Sequence, residues 1–158
     1  DSVGTGDGLV IDNHDTTLGS ELLTGFTDGI SYGFDTFTSS GRDISAAIET
    51  TGNWGACASN VFSVTAGEWY KCTFDLTYNS GTDNVRFVLS NDTTGGGTSR
   101  GSILYTSTNG ANTMYFKVNI TDSTCYLQIG TGSSSDVINF SMSNISLKKM
   151  SGNHGALT

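Results

Sequence analysis

The side chains best suited to do chemistry in this sequence are Trp54, Arg86, Tyr126 and Gln128, with Tyr115 and Tyr32 as further members of the set. Together they offer what a pyranose needs. A flat aromatic ring covers the apolar C–H face of a sugar at small entropic cost, and planar polar groups hold its hydroxyls in orientation. Arg86 stands before Phe87, Tyr126 and Gln128 alternate with Cys125 and Leu127, and Tyr115 lies between Met114 and Phe116. In a strand, this alternation sends the polar set to the face opposite the apolar one. Trp54 belongs to the turn-rich stretch Thr51-Gly-Asn-Trp-Gly55, just before a strand. Each residue also has a plainer use. Trp54 can plug the end of a sandwich, Arg86 can lie along a sheet and pair with an Asp, and the tyrosines can pack across strands. Trp69 points outward beside Lys71 and Thr73 and can mark a protein contact instead.

Catalytic constellations are missing. Glycoside hydrolysis uses two carboxylates roughly 5–9 Å apart, whereas Glu21, Glu49 and Glu68 fall in separate segments and nothing pairs them. His14 and His154 sit near the two ends. No G-x-S-x-G or H-E-x-x-H occurs, and Thr94-Gly-Gly-Gly-Thr98 lacks the Lys and following helix of a phosphate loop, so it reads as a hairpin tip. The chain is therefore expected not to be an enzyme. The candidates for a structural calcium are Asp12, Asp15, Asp35 and Asp136, because Ca²⁺ takes six to eight oxygen ligands that Asp-rich loops supply. A solvated acidic surface explains the same residues. Cys57, Cys72 and Cys125 are an odd set without a C-x-x-C pair. Cys72 and Cys125 alternate with core residues and read as buried thiols; a single disulfide involving Cys57 is the alternative. The four N-x-[S/T] triplets, at Asn91, Asn119, Asn139 and Asn144, are what a chain so rich in Ser and Thr yields by chance.

The elements that must position these residues are strands. The 158 residues make one domain, with 21 Gly, no Pro, 35% hydrophobic and only 14% charged residues. Strong helix formers are scarce, so the neutral polar surface has to be carried by β-structure. Short alternating segments separated by turn residues begin at Leu18 and predict about ten antiparallel strands in a single all-β sandwich, a jelly roll. They run over 29–38, 43–49, 56–64, 68–78, 84–90, 103–106, 113–120, 124–129 and 137–149, with the first stretch from Leu18. The period is clearest in Tyr70, Cys72, Phe74, Leu76 and Tyr78. In the last segment Ile138, Phe140 and Met142 point inward, then Ile145 and Leu147; this one-residue slip near Ser143-Asn144 predicts a β-bulge. The net charge of −8 argues against nucleic acid and against anionic membranes, leaving neutral glycans, metal ions and protein partners.

Three phrases carry a family resemblance: Leu18-Gly-Ser-Glu-Leu-Leu-Thr24, the run from Asn60 through Glu68-Trp-Tyr-Lys-Cys-Thr-Phe-Asp75, and Phe140-Ser-Met-Ser-Asn-Ile-Ser-Leu-Lys148. They resemble the β-jelly-roll carbohydrate-binding modules of families four, nine and twenty-two, as also found in phage tail and virion-surface proteins. The resemblance covers roughly residues 18 to 149. It implies a non-catalytic polysaccharide-binding module with a ligand-stacking Trp near the position of Trp54. It also implies an Asp in the last strand that helps hold calcium, but here Ser143 stands in that place.

The expected organisation is an N-terminal strand or linker over 1–17, the jelly roll over 18–150 and a tail over 151–158. The chain begins and ends in mid-phrase and has no basic-then-apolar leader, so it reads as a processed or excised segment of an extracellular or virion-surface protein. Two functions follow. One is recognition of a polysaccharide or cell-surface glycan. The other is a structural or decoration module of a virion, tail or other appendage, with Trp69 and the apolar run Leu9, Val10 and Ile11 contacting neighbouring subunits of a homo-oligomer or other virion proteins.

Overall fold

The structure, a computed structural model, describes residues 17–29, 32–49, 54–82, 84–94, 97–135 and 137–151. Twelve strands are formed among them: β1 (Thr17–Glu21), β2 (Phe26–Asp28), β3 (Thr36–Ser40), β4 (Asp43–Ile48), β5 (Ala56–Ser59), β6 (Phe62–Val64), β7 (Trp69–Gly81), β8 (Val85–Ser90), β9 (Leu104–Thr106), β10 (Gly110–Lys117), β11 (Asp122–Gly130) and β12 (Ile138–Ser151). They make two six-stranded antiparallel sheets. The first has the order β10-β7-β12-β4-β3, and the second β2-β5-β11-β8-β9. Each sheet has one long strand whose edge is shared by two short ones. In the first, β4 lies along the early half of β12 and β1 along its end, from Lys148 to Ser151. In the second, β5 lies along Gln128–Gly130 of β11 and β6 along its start, at Asp122 and Cys125.

Twelve strands replace the expected ten because the first stretch gives two, β1 and β2, and the segment 56–64 gives two, β5 and β6. The segment 56–64 divides at Asn60, whose side chain leaves the ladder to serve another backbone. Its Oδ1 accepts the Thr24 amide (2.6 Å), its Nδ2 donates to the Leu22 carbonyl (3.0 Å), and its own amide donates to Gly25 (3.1 Å). The strand expected over 29–38 is also shorter. Residues 32–35 form a loop, because Asp28 Oδ1 accepts the amides of both Gly29 and Phe34 (3.0 Å each) in place of a strand partner. Phe34 still reaches the core.

Period two fills the space between the sheets. Tyr70, Cys72, Phe74 and Leu76 of β7 meet Phe87 and Leu89 of β8 and Leu127 and Ile129 of β11, all essentially without solvent contact. Phe74 and Phe87 stack at 4.8 Å across the sheets, and Phe34 meets Phe140 edge-on at 5.8 Å. Burying each such side chain contributes about 1.5–3 kcal/mol. Cys57, Cys72 and Cys125 are all buried and unbridged, so Cys57 forms no disulfide. Burial pushes the thiols of Cys72 and Cys125 up to about 12 and raises Cys57 as well, with Asp28 adding to the last effect. The expected bulge is present. The register of β12 against β7 slips between Ser143 and Ser146, and Asn144 takes φ 55°. Its amide donates to Asp43 Oδ1 and its Nδ2 to Asp75 Oδ2 (2.9 Å each), which holds the turn-like residue in place.

Candidate functional site

The second sheet presents the candidate site on its outward side. Cys57, Phe87, Leu127 and Ile129 point inward, so Ala56, Ala58, Arg86, Val88, Tyr126, Gln128 and Gly130 point out. Registers place Tyr105, Arg86, Gly130 and Ala56 in one row across β9, β8, β11 and β5. Neighbouring strands stand about 4.8 Å apart, so this row crosses most of the face. Trp54 belongs to the same outward set, two residues before Ala56. Its neighbour Gly55 extends the β5–β11 ladder, donating to Thr131 Oγ1 (3.1 Å) and accepting from the Thr131 amide (2.8 Å). The backbone of Tyr32 runs beside β5, where its carbonyl accepts the Ala56 amide at 2.7 Å. The row thus has Tyr105 at one end, Arg86 next to it and the buried small residues Gly130 and Ala56 at the other, with Trp54 two residues before Ala56.

The small residues at that end are a consequence of packing. A Cβ on Gly130 would stand 2.1 Å from the Gly55 carbonyl oxygen and 2.9 Å from Ala56 Cα, so only glycine lets β5 and β11 approach this closely. Trp54, Tyr32 and Tyr105 are 40%, 44% and 48% exposed, which leaves their rings open to a ligand. Tyr105 is a further candidate that the sequence did not single out. Its alternation with Leu104 and Thr106 is the signal that could have found it.

The other candidates divide. Tyr126 is half-buried opposite Ser90, further along the same face. Gln128 points outward as expected, yet it is 1% exposed. The segment after β8 folds back over it, and its Nε2 donates to the Asp92 carbonyl. Asp92 in turn accepts from the Thr94 hydroxyl (2.6 Å) and amide (3.0 Å), which hold its carboxyl below the ordinary value. Gln128 therefore braces the rim of the face instead of facing solvent. The following segment is clamped by Arg100, whose Nε and Nη2 both reach Asp122 Oδ2 at 2.6 Å. Arg86 has no carboxylate at ion-pair distance among the described residues, so the expected alternative of an Asp partner is not met there.

Tyr115 lies elsewhere. It is on β10 of the first sheet, opposite Lys71, and the two sheets and their core separate it from Arg86. Trp69 is on the same outward side as Tyr115, partly covered by Lys117, whose Nζ stands 5.7 Å from its ring centre. Leu9, Val10, Ile11, Asp12, Asp15, Asp136, His14 and His154 lie outside the described residues. Asp35 spends Oδ2 on the Glu49 amide (2.7 Å), and among the described residues no three His, Cys, Asp or Glu side chains converge. Asp35 therefore does not build a calcium site with the described residues. No described helix is long and apolar enough to cross a membrane.

No protein-family model matches the chain, and no curated protein matches it. Solved structures do. A CBM4 structure superposes with a TM-score of 0.58 at 15% identity, covering 78% of this chain and 94% of that one. The second N-terminal cellulose-binding domain of Cellulomonas fimi β-1,4-glucanase C gives 0.51 at 18% identity, covering 80% and 86%. An arabinose-bound α-L-arabinofuranosidase gives 0.50 at 12% identity; 85% of this chain matches only 27% of that enzyme. The chain has the β-sandwich fold of these carbohydrate-binding modules.

Proposed function

We propose that the chain is a non-catalytic, extracellular polysaccharide-binding module whose ligand lies across the outward face of the second sheet. The observation that carries this reading is the shared row: Tyr105, Arg86, Gly130 and Ala56 lie in one line across four strands, with the exposed Trp54 two residues before Ala56 and the exposed Tyr32 bonded to it through its carbonyl. Aromatic rings at the two sides offer stacking surfaces, and the guanidinium supplies directed donors to hydroxyls between them. Tyr126 extends the face, and Gln128 acts by fixing the Asp92 segment at its rim. The cellulose-binding domain among the structural matches supports a glycan as ligand class.

Affinity electrophoresis and calorimetry against xylans, β-glucans and bacterial surface polysaccharides test the reading. Binding is expected to weaken at least tenfold in Trp54→Ala and in Arg86→Ala, about 1.4 kcal/mol each, with melting temperatures little changed. Absence of binding to every such polysaccharide, or binding that both variants retain, overturns it. A stable trimer or filament, indifferent to sugars and broken by Trp69→Ala, would instead assign an assembly role on a virion, tail or other appendage.

A further inference from the structure

We infer that the outward face of the first sheet carries a second site, for an anionic polysaccharide, centred on Lys71, Lys148 and Tyr115. The chain has a net charge of −8, yet its four lysines lie at one corner of this sheet, with Lys71, Lys117 and Lys148 on the outward side and Lys149 opposite the inward Tyr70. Tyr115 of β10 stands opposite Lys71 of β7, and Lys71 stands opposite Lys148 of β12. Like charges directly opposite on one face destabilise a sheet. Neither Lys71 nor Lys148 has a carboxylate at ion-pair distance among the described residues, whereas Lys149 pairs with Glu68 at 3.2 Å. Glu21 lies beside Lys148 in β1 but is engaged by Arg42 (2.8 Å), by the Ser146 hydroxyl and by the Leu147 amide (2.9 Å).

The neighbouring chemistry points to a sugar polymer. Tyr115 is 47% exposed beside Lys71, so a ring can stack on it while a carboxylate or sulfate meets the paired ammonium groups. The next row is Thr113, Thr73 and Ser146; the hydroxyls of Thr113 and Thr73 suit sugar hydroxyls, while that of Ser146 donates to Glu21. The core of a protein interface is depleted of charge, whereas the centre of these rows is a pair of lysines. The site shares no residue with the second-sheet face and does not depend on a ligand binding there.

Retardation in gels containing polygalacturonate, dextran sulfate or neutral dextran tests the assignment, with polyglutamate and single-stranded DNA as further arms. Retardation by polygalacturonate alone assigns a carboxylate, by dextran sulfate alone a sulfate, and either supports the site. Binding is expected to fall at least tenfold in the double variant Lys71→Gln/Lys148→Gln and in Tyr115→Ala, and to vanish near 1 M salt, where the screening length is about 3 Å. The double variant is expected to melt no lower than the parent. No retardation by either acidic polysaccharide, equal retardation of the variants, or equal retention by polyglutamate or DNA overturns the proposal.

Discussion

Glu21 holds more of the first sheet together than any other single carboxylate described. Burial would raise its pKa, but the Ser146 hydroxyl, the amides of Leu147 and Leu23, and Arg42 outweigh that effect and hold the carboxyl below its ordinary range. The folded state therefore binds this proton less tightly than the unfolded chain. The resulting stabilisation is present above the unfolded-state pKa and is lost as pH falls through the lower, folded-state one. Glu21→Gln is expected to cost about 1–2 kcal/mol at neutral pH and to flatten the acid side of the stability profile, as denaturant titrations at several pH values would show. The cysteines make a second prediction. Burial raises all three thiols, so a thiol reagent at neutral pH should leave native protein unlabelled and modify three groups on unfolding. Alternation alone revealed that Arg86, Tyr126 and Gln128 turn away from the core. It could not reveal that Gln128 lies under the Asp92 segment, because burial on an outward face depends on where a distant loop settles. Nor could it reveal that Tyr115 belongs to the other sheet, since inward and outward are defined by period but sheet membership by topology.

Among the elements, the bulge in β12 was written in the sequence as a slip of one residue, and the structure places it at Asn144 with φ 55°. A left-handed backbone costs an ordinary residue about 1–2 kcal/mol and a β-branched one more. Asn144→Val is therefore expected to lower stability by at least that amount, and Asn144→Gly by less, since glycine adopts the conformation freely while losing the bond to Asp75. Thermal denaturation of the two variants checks the order. The division of 56–64 into β5 and β6 changes the phase of the inward residues, from Cys57 to Phe62 and Val64, but the small residues Ala56, Ala58 and Ser59, all buried, hide that change in the sequence. What divides them is a hydrogen-bonding choice by Asn60, made with residues 22–25 that are far away in sequence. In the same way, Asp28 converts an expected strand into the loop that sets Tyr32 beside Ala56.

At the scale of the whole molecule, fold class followed from composition and period, and the sandwich leaves two outward sheet faces of different character. One carries aromatic rings and Arg86, the other a lysine corner in an otherwise acidic chain. Far-ultraviolet circular dichroism is expected to show a β spectrum with little helix, consistent with twelve strands and no helix among the described residues. The pairing of β1 with the end of β12 has a mechanical side. Thr17 stands directly opposite Ser151 in an antiparallel ladder. A load entering at 17 and leaving at 151 pulls along the hydrogen bonds between these strands, which then break in succession like a zip instead of sharing the force. Stretched between these points in an optical trap, the domain should first release β1 in a short step at low force, while the core between the sheets still holds. Such a domain gives a little slack before it breaks.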